Sequence, residues 1–234
     1  MNMNKTLCTV LVTLLVTVRM PLVNLYCQPF QSGLPQHLVQ ANLGKRQPDL
    51  VELVRLDSSI KLDIRYATAH NFVGKAVYAQ ARAFLQRPAA EALVRVHRKL
   101  RARGYGILVF DGYRPWSVTN VFWKAVSPAQ RKFVANPQSG SVHNRGCAVD
   151  VSLFDLKTGK EIPMPSEYDA LDERAALDYN GGTAEQRAMR SLLQTVMHAE
   201  GFRGVRHEWW HFDFQDWREY PVLNVDFADI PIKP

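Results

Sequence analysis

Cysteine is scarce in this chain, three among 234 residues, which excludes a disulfide-stapled scaffold. Cys8 falls in an apolar leader, so Cys27 and Cys147 are the only residues that could pair. Cys147 sits inside a polar motif that needs a small buried side chain, and a free thiol is expected there. No internal repeat is visible. Strands and helices do not alternate in regular βαβ units, which excludes a doubly wound parallel sheet and argues for an α+β fold. Charge of one sign is not blocked together either. The net charge is +7 and the pI near 9.4, but the densest basic run, Arg95, Arg98, Lys99, Arg101 and Arg103, falls on one helix and reads as a solvated face. With no nucleic-acid motif beside it, a nucleic-acid partner is not expected.

What is present is enough for one well-packed domain. A core of this size buries roughly 70–75% of the unfolded surface and needs no covalent staple. Lys5 precedes an apolar stretch from Leu7 to Val18, the length of a signal-peptide core and short for a bilayer span. Residues 1–27 are therefore expected to be a leader or anchor that sends the chain to the periplasm or cell envelope. Translation from Met20 is the alternative, and would leave it in the cytoplasm. The leader and the basic surface are the features through which the chain would meet a membrane or cell wall. Residues 28–49, rich in Gln, Pro and Gly, read as a tether, with the folded unit over 50–234.

Within that unit, Ile60-Lys61-Leu62-Asp63-Ile64 alternates like a strand. Pro88 opens a helix through Leu93, Val96 and Leu100 that Gly104 ends. The apolar run Gly106 to Phe110 reads as a buried strand delivering Asp111-Gly112-Tyr113-Arg114-Pro115 at its end. A helix with Val118, Val121, Phe122 and Ala125 on one face follows, then a strand from Cys147 to Leu153. Residues 155–182 hold turn formers, acids and prolines, the pattern of a functional excursion. Met189, Leu192, Leu193, Val196 and Met197 mark a last amphipathic helix stopped by Gly201, and His211 to Phe214 a final strand. A small, mainly antiparallel sheet flanked by helices is expected, with the functional site at the sheet.

The chemistry concentrates in two places. Ser141-Val142-His143-Asn144-Arg145-Gly146-Cys147-Ala148-Val149-Asp150 offers an imidazole and a carboxylate with a glycine between them, and Glu208-Trp209-Trp210-His211 a second imidazole and a spare acid. Either alone is a weak signal. Together they make the ligand set of a catalytic zinc site, three protein ligands (His143, Asp150 and His211) with one position open. Zinc lowers the pKa of bound water from ~15.7 to ~7, about 12 kcal/mol. A general base such as Glu208 contributes only roughly 3–5 kcal/mol, so the metal is needed first. Arg114, at a strand end, can steady an oxyanion. Asp169 and Asp172 lie in the excursion. Either could hold a substrate ammonium, or serve as a helix N-terminal charge. Tyr66, Ser141 and Trp209 are candidate pocket walls or hydrogen-bond partners. His37, His70, His97, His198 and His207 lack partners at ligand spacing and read as surface residues or as supports behind the ligands.

From about Leu62 to Phe214 the chain resembles the zinc D-alanyl-D-alanine dipeptidases of the VanX type, within the group that includes D-Ala-D-Ala carboxypeptidases and hedgehog-like folds. The likeness rests on several motifs that are specific in this order. They are Asp63-Ile64-Arg65-Tyr66-Ala67-Thr68, Asn71-Phe72-Val73-Gly74, Asp111 to Pro115, Ser141 to Asp150, Lys157-Thr158-Gly159 to Pro163-Met164, Asp172-Glu173 and Glu208 to His211. The resemblance implies one Zn2+ per chain on His143, Asp150 and His211, with Glu208 as general base and then acid. It implies that Arg114 polarises the scissile carbonyl, that Asp169 and Tyr66 hold the free amino terminus, and that Ser141 lies near the carboxylate end. Cys147 stands where a residue such as serine is expected. The implied reaction is hydrolysis of D-Ala-D-Ala to two D-alanines. A carboxypeptidase or endopeptidase on peptidoglycan stems is the alternative, and a non-catalytic hedgehog-like zinc module the second.

Overall fold

The computed structural model describes residues 29–231; the leader, with Cys8, Met20 and Cys27, lies outside the described residues. Two strands with almost no polar periodicity form the centre. β4 (Tyr105–Asp111) is buried from Gly106 onward, and β5 (Ala148–Asp155) is buried through Phe154. Apolar runs of this kind need cover on both faces. Two helices, α3 (Arg87–Arg101) and α5 (Ala184–His198), pack against the sheet and each other. Around the central pair stand β2 (Lys61–Leu62), β6 (Phe202–Val205) and β7 (Glu208–Phe214), giving the order β2-β4-β5-β7-β6. Only β2 and β4 run parallel; the other pairs are antiparallel. β1 (Leu50–Glu52) and β3 (Phe84–Gln86) form a separate antiparallel pair. The short helices are α1 (Gln36–Ala41), α2 (Leu53–Leu56) and α4 (Trp116–Ala125). The fold is the expected α+β domain with a mainly antiparallel sheet. Among the described residues no helix is long and apolar enough to cross a membrane.

Local chemistry explains most boundaries. Pro88 stands in the first turn of α3, and Arg98, Lys99 and Arg101 in its last turn face the negative end of the helix dipole. Thr183 and Gln186 close a capping box at the start of α5.

Four expectations are corrected. The strand expected over 60–64 shrinks to Lys61–Leu62, because the chain turns into a 3-10 segment, Arg65–Ala67, that seats Tyr66 in the core. Val121 is 36% exposed; the buried face of α4 is Val118, Thr119 and Phe122. His97 is neither a surface group nor a support behind the ligands. It is fully buried in α3, accepting the Ile107 N–H at Nδ1 (3.0 Å) with Nε2 3.0 Å from Ser59 Oγ. It thus fastens the helix to β4 by satisfying a backbone donor. Residues 29–49, expected as a tether, carry α1 and dock on the domain. Leu38 is buried, and the Asn42 side chain exchanges hydrogen bonds with Val222 at 2.9 and 2.8 Å.

Gly146 carries the turn between the two halves of the first motif. Its φ is +67°, and a Cβ there would lie 2.5 Å from Leu50 Cδ2, while its carbonyl accepts from Gln86 N at 2.7 Å. A left-handed backbone costs an L-residue about 1–2 kcal/mol before any clash. Gly146→Ala should therefore lower unfolding free energy by at least about 1–2 kcal/mol in urea titration. A loss below roughly 0.5 kcal/mol, the range of an ordinary surface change, would contradict this account of the turn.

Candidate active site

Sheet register builds the site. Asp150 on β5 lies directly opposite His211 on β7 and opposite Asp111 on β4, so three polar side chains share one rung across three strands. His143 comes from a 3-10 turn, His143–Arg145, held beside that rung by Asn144. The Asn144 side chain accepts from Ser141 N (2.7 Å) and donates to Arg114 O and Thr119 Oγ1 (both 2.8 Å). Ser141 Oγ accepts the His143 N–H at 3.2 Å, and Arg114 N donates to His143 O at 3.1 Å.

The two imidazoles are turned by what stands behind them. His143 Nδ1 donates to Gly112 O at 2.7 Å, which leaves the Nε2 lone pair facing inward. Gly112 is tight because a Cβ there would meet Phe84 O at 2.7 Å. His211 Nε2 lies 2.8 Å from Asp213 Oδ1, which leaves Nδ1 inward; a carboxylate behind a histidine is the usual support for a metal ligand. The inward atoms converge: His143 Nε2 to His211 Nδ1 is 3.0 Å, and Asp150 Oδ1 is 3.3 and 3.0 Å from them. The three ligand atoms lie within 4.8 Å of one another. With His143 Nδ1 and His211 Nε2 carrying the ring protons, two nitrogen lone pairs and a carboxylate oxygen converge, a set that suits a cation. The donor set fits zinc with one position open.

Burial and charge pull against each other throughout the site. Burial would raise Asp150, but the neighbouring His143 and His211 overcome it and hold the carboxyl well below its usual range. Burial would lower His211, but hydrogen bonds to Asp150 and Asp213 raise it well above an ordinary imidazole. Glu208 Oε2 lies 3.7 Å from His211 Nδ1, and burial pushes Glu208 up to about 7 against the pull of His211. Arg114 is locked by Asp111, with Nε and Nη2 at 2.9 and 2.7 Å from Oδ2. Asp111 Oδ1 in turn accepts from Tyr78 Oη and Gly112 N at 2.8 and 2.9 Å. Burial opposes the charge on Arg114, yet Asp111 holds its pKa well above the ordinary value. Its guanidinium lies over the Phe122 ring at 4.7 Å.

A cavity of about 90 Å³ joins these groups, and Tyr66, Arg114, Ser141, Asp169, Glu208 and Trp210 line it with the three ligands. Asp169 adopts φ +61°, a left-handed conformation uncommon outside glycine. Its Oδ1 accepts from Tyr66 Oη at 2.9 Å, while Oδ2 is buried without a hydrogen-bond partner. Burial first, then the nearby Asp150 charge, raises Asp169 well above the usual carboxylate range. Asp172 takes the other role open to it, accepting from Arg174 N at 2.9 Å and pairing with the Arg174 side chain.

One expected pocket residue is elsewhere. Trp209 is not among the pocket-lining residues; it is 1% exposed, with its indole N–H on Ser166 Oγ at 3.0 Å. Trp210 lines the pocket beside His211 instead, against strict strand alternation, where the register of β7 against β6 shifts between Glu208 and Phe212. Sequence reading also missed Asp111, Asn144, Tyr168 and Asp213. Asp111 and Asn144 stood inside quoted motifs, and Asp213 follows His211 at the spacing of one strand face, so two of those motifs and the strand period could have marked them. Cys147 is buried with a free thiol, as expected.

Residues 46–230 match the family model described as D-ala-D-ala dipeptidase. The chain belongs to that peptidase family. A D-alanyl-D-alanine dipeptidase of Enterococcus faecalis is 35% identical over 188 residues, covering 72% of this chain and 92% of the relative. Those of Enterococcus faecium and Escherichia coli are each 32% identical, over 192 and 180 residues. They cover 74% and 77% of this chain, and 93% and 92% of the relatives. The resemblance read from the motifs is thus to the family in which the chain falls.

If the three inward atoms take a cation, zinc should raise the melting temperature. At a thousandfold excess over Kd the gain is about 4.1 kcal/mol, or roughly 8–16 °C for a domain of this size. His143→Ala should abolish the shift in a thermal-melt assay. An equal shift in wild type and variant would place the cation elsewhere.

Proposed function

We propose that this chain hydrolyses D-Ala-D-Ala to two D-alanines, with one zinc ion per chain held by His143, Asp150 and His211. The observation that carries the reading is a single small pocket in which an acid, a cation and an unpartnered carboxylate oxygen surround that ligand set. When bound there, zinc lowers the pKa of a coordinated water to ~7 and polarises a carbonyl oxygen. Glu208 takes the proton from the attacking water. It then returns it to the departing amine, which needs a group that holds and releases protons near neutrality. Arg114, kept charged and in place by Asp111, faces the oxyanion that develops on the scissile carbonyl. Asp169 receives the substrate ammonium on Oδ2, with Tyr66 fixing the other oxygen. Ser141 serves the carboxylate end. A free ammonium is what a dipeptide brings and a longer chain lacks, so specificity lies in Asp169. The apolar stretch Leu7–Val18 supports an exported enzyme meeting its dipeptide in the cell envelope.

One feature favours longer stem peptides as a second reading. A groove of about 600 Å³, lined by both charged and apolar side chains, adjoins the pocket and shares Phe133 and Leu171 with it. A non-catalytic zinc module is disfavoured, because such a module needs neither Glu208 nor Arg114 in the pocket.

Hydrogen bonds to charged groups contribute about 1.5–3 kcal/mol, a factor of roughly 10–150. N-acetyl-D-Ala-D-Ala should therefore fall below the free dipeptide by at least about tenfold in kcat/KM. Asp169→Asn should erase most of that difference. Comparable rates on both substrates in wild type would instead support the carboxypeptidase reading. Glu208→Gln should keep zinc and lose about 10²–10⁴-fold in kcat, read by metal analysis and D-alanine release. Full activity in a zinc-loaded variant would overturn the role given to Glu208.

A further inference from the structure

Tyr168 has no part in the reaction as derived, yet it touches the metal-ligand set. Its hydroxyl donates to Asp150 Oδ2 at 3.1 Å. The ring is buried, stacked on Phe110 with centroids 4.3 Å apart and planes at 18°, and edge-on to Trp210 at 5.3 Å. Its phenol oxygen is therefore fixed by packing on two sides. The two oxygens of Asp150 have been separated by their surroundings. Oδ1 faces both imidazoles, whereas Oδ2 faces the Tyr168 hydroxyl and, at 3.8 Å, Arg114 Nη2.

A carboxylate beside a divalent cation can offer one oxygen or two. A second oxygen would fill the position that a three-ligand catalytic site leaves open. Resting on the zinc reading above, we propose that Tyr168 is a positioning residue whose hydroxyl confines Asp150 to one-oxygen ligation, holding Oδ2 back so that the fourth position stays free. A phenylalanine would pack on Phe110 as well; only the hydroxyl acts on Oδ2. Partners behind metal ligands typically set affinity by about 10–100-fold.

X-ray absorption of the zinc-loaded wild-type protein tests this without any variant, and should show a single carboxylate oxygen at ligand distance. Tyr168→Phe should bring a second oxygen into range and lower zinc affinity by about 10–100-fold in chelator competition. It should also change the visible spectrum of the cobalt(II)-substituted protein, as a carboxylate oxygen takes the place of water. Tyr66→Phe removes a neighbouring hydroxyl bonded to Asp169 instead, and should leave affinity and spectrum as in wild type. Two carboxylate oxygens in wild type would overturn the proposal. So would an unchanged Tyr168→Phe site, or equal effects of the two variants. None of these readouts uses substrate. Absent D-Ala-D-Ala turnover with the metal results as expected would therefore count against the substrate reading alone.

Discussion

The pairing of β5 with β7 sets Asp150 opposite His211, and every other feature of the site is arranged around that register. A slip of β7 by one residue would turn His211 to the far face of the sheet, leaving His143 and Asp150 without it. The register is held on both sides: β4 pairs with β5 across Asp111 and Asp150, and β6 pairs with β7 through Phe202 opposite Phe214. Burial of both faces makes the arrangement hard to shift, because each strand carries the core as well as the ligands. The position of His143 depends on a different device, the left-handed turn at Gly146 and the fully buried side chain of Asn144.

Placing so many ionisable groups together in a buried pocket is costly unless they are paired. Removing one partner from a buried ion pair typically costs 3–5 kcal/mol. Asp111 and Arg114 satisfy each other, with Tyr78 and the Gly112 N–H completing the carboxylate. His211 is flanked by Asp150 and Asp213. One oxygen of Asp169 stays without a hydrogen-bond partner, and the inward atoms of His143, His211 and Asp150 have only one another. Those are the two places where a cation, one a metal and one an ammonium, would relieve the structure. Stability is given up where binding can restore it.

Much of this was legible in the residues. His143, Asp150, His211, Glu208, Arg114, Ser141, Tyr66 and Asp169, all singled out from their motifs, line one pocket. The buried strands β4 and β5 announced themselves as apolar runs. What escaped was of two kinds. His97 follows the helical spacing of the core, but nothing local says that its ring will cap a backbone N–H of β4; that bond is tertiary. Trp209 and Trp210 are adjacent, and strand alternation counted from His211 selects the wrong one; the register shift of β7 against β6 in this stretch is set by pairing. Tyr168 and Asp213, which hydrogen-bond Asp150 and His211, reach partners that packing and pairing select. Tyr168 reaches its partner from 18 positions away, a contact that no local pattern encodes. The Ile60–Ile64 alternation was sound as periodicity, yet the chain spends it on a turn that buries Tyr66.

The central claim is that these side chains meet around one ion, and anomalous scattering at the zinc edge from a zinc-loaded crystal tests it most directly. The account requires one strong peak bonded to His143 Nε2, His211 Nδ1 and one oxygen of Asp150, with Glu208 close by but unbound. A peak at another place, or ligation through His211 Nε2 with Asp213 turned away, would contradict it.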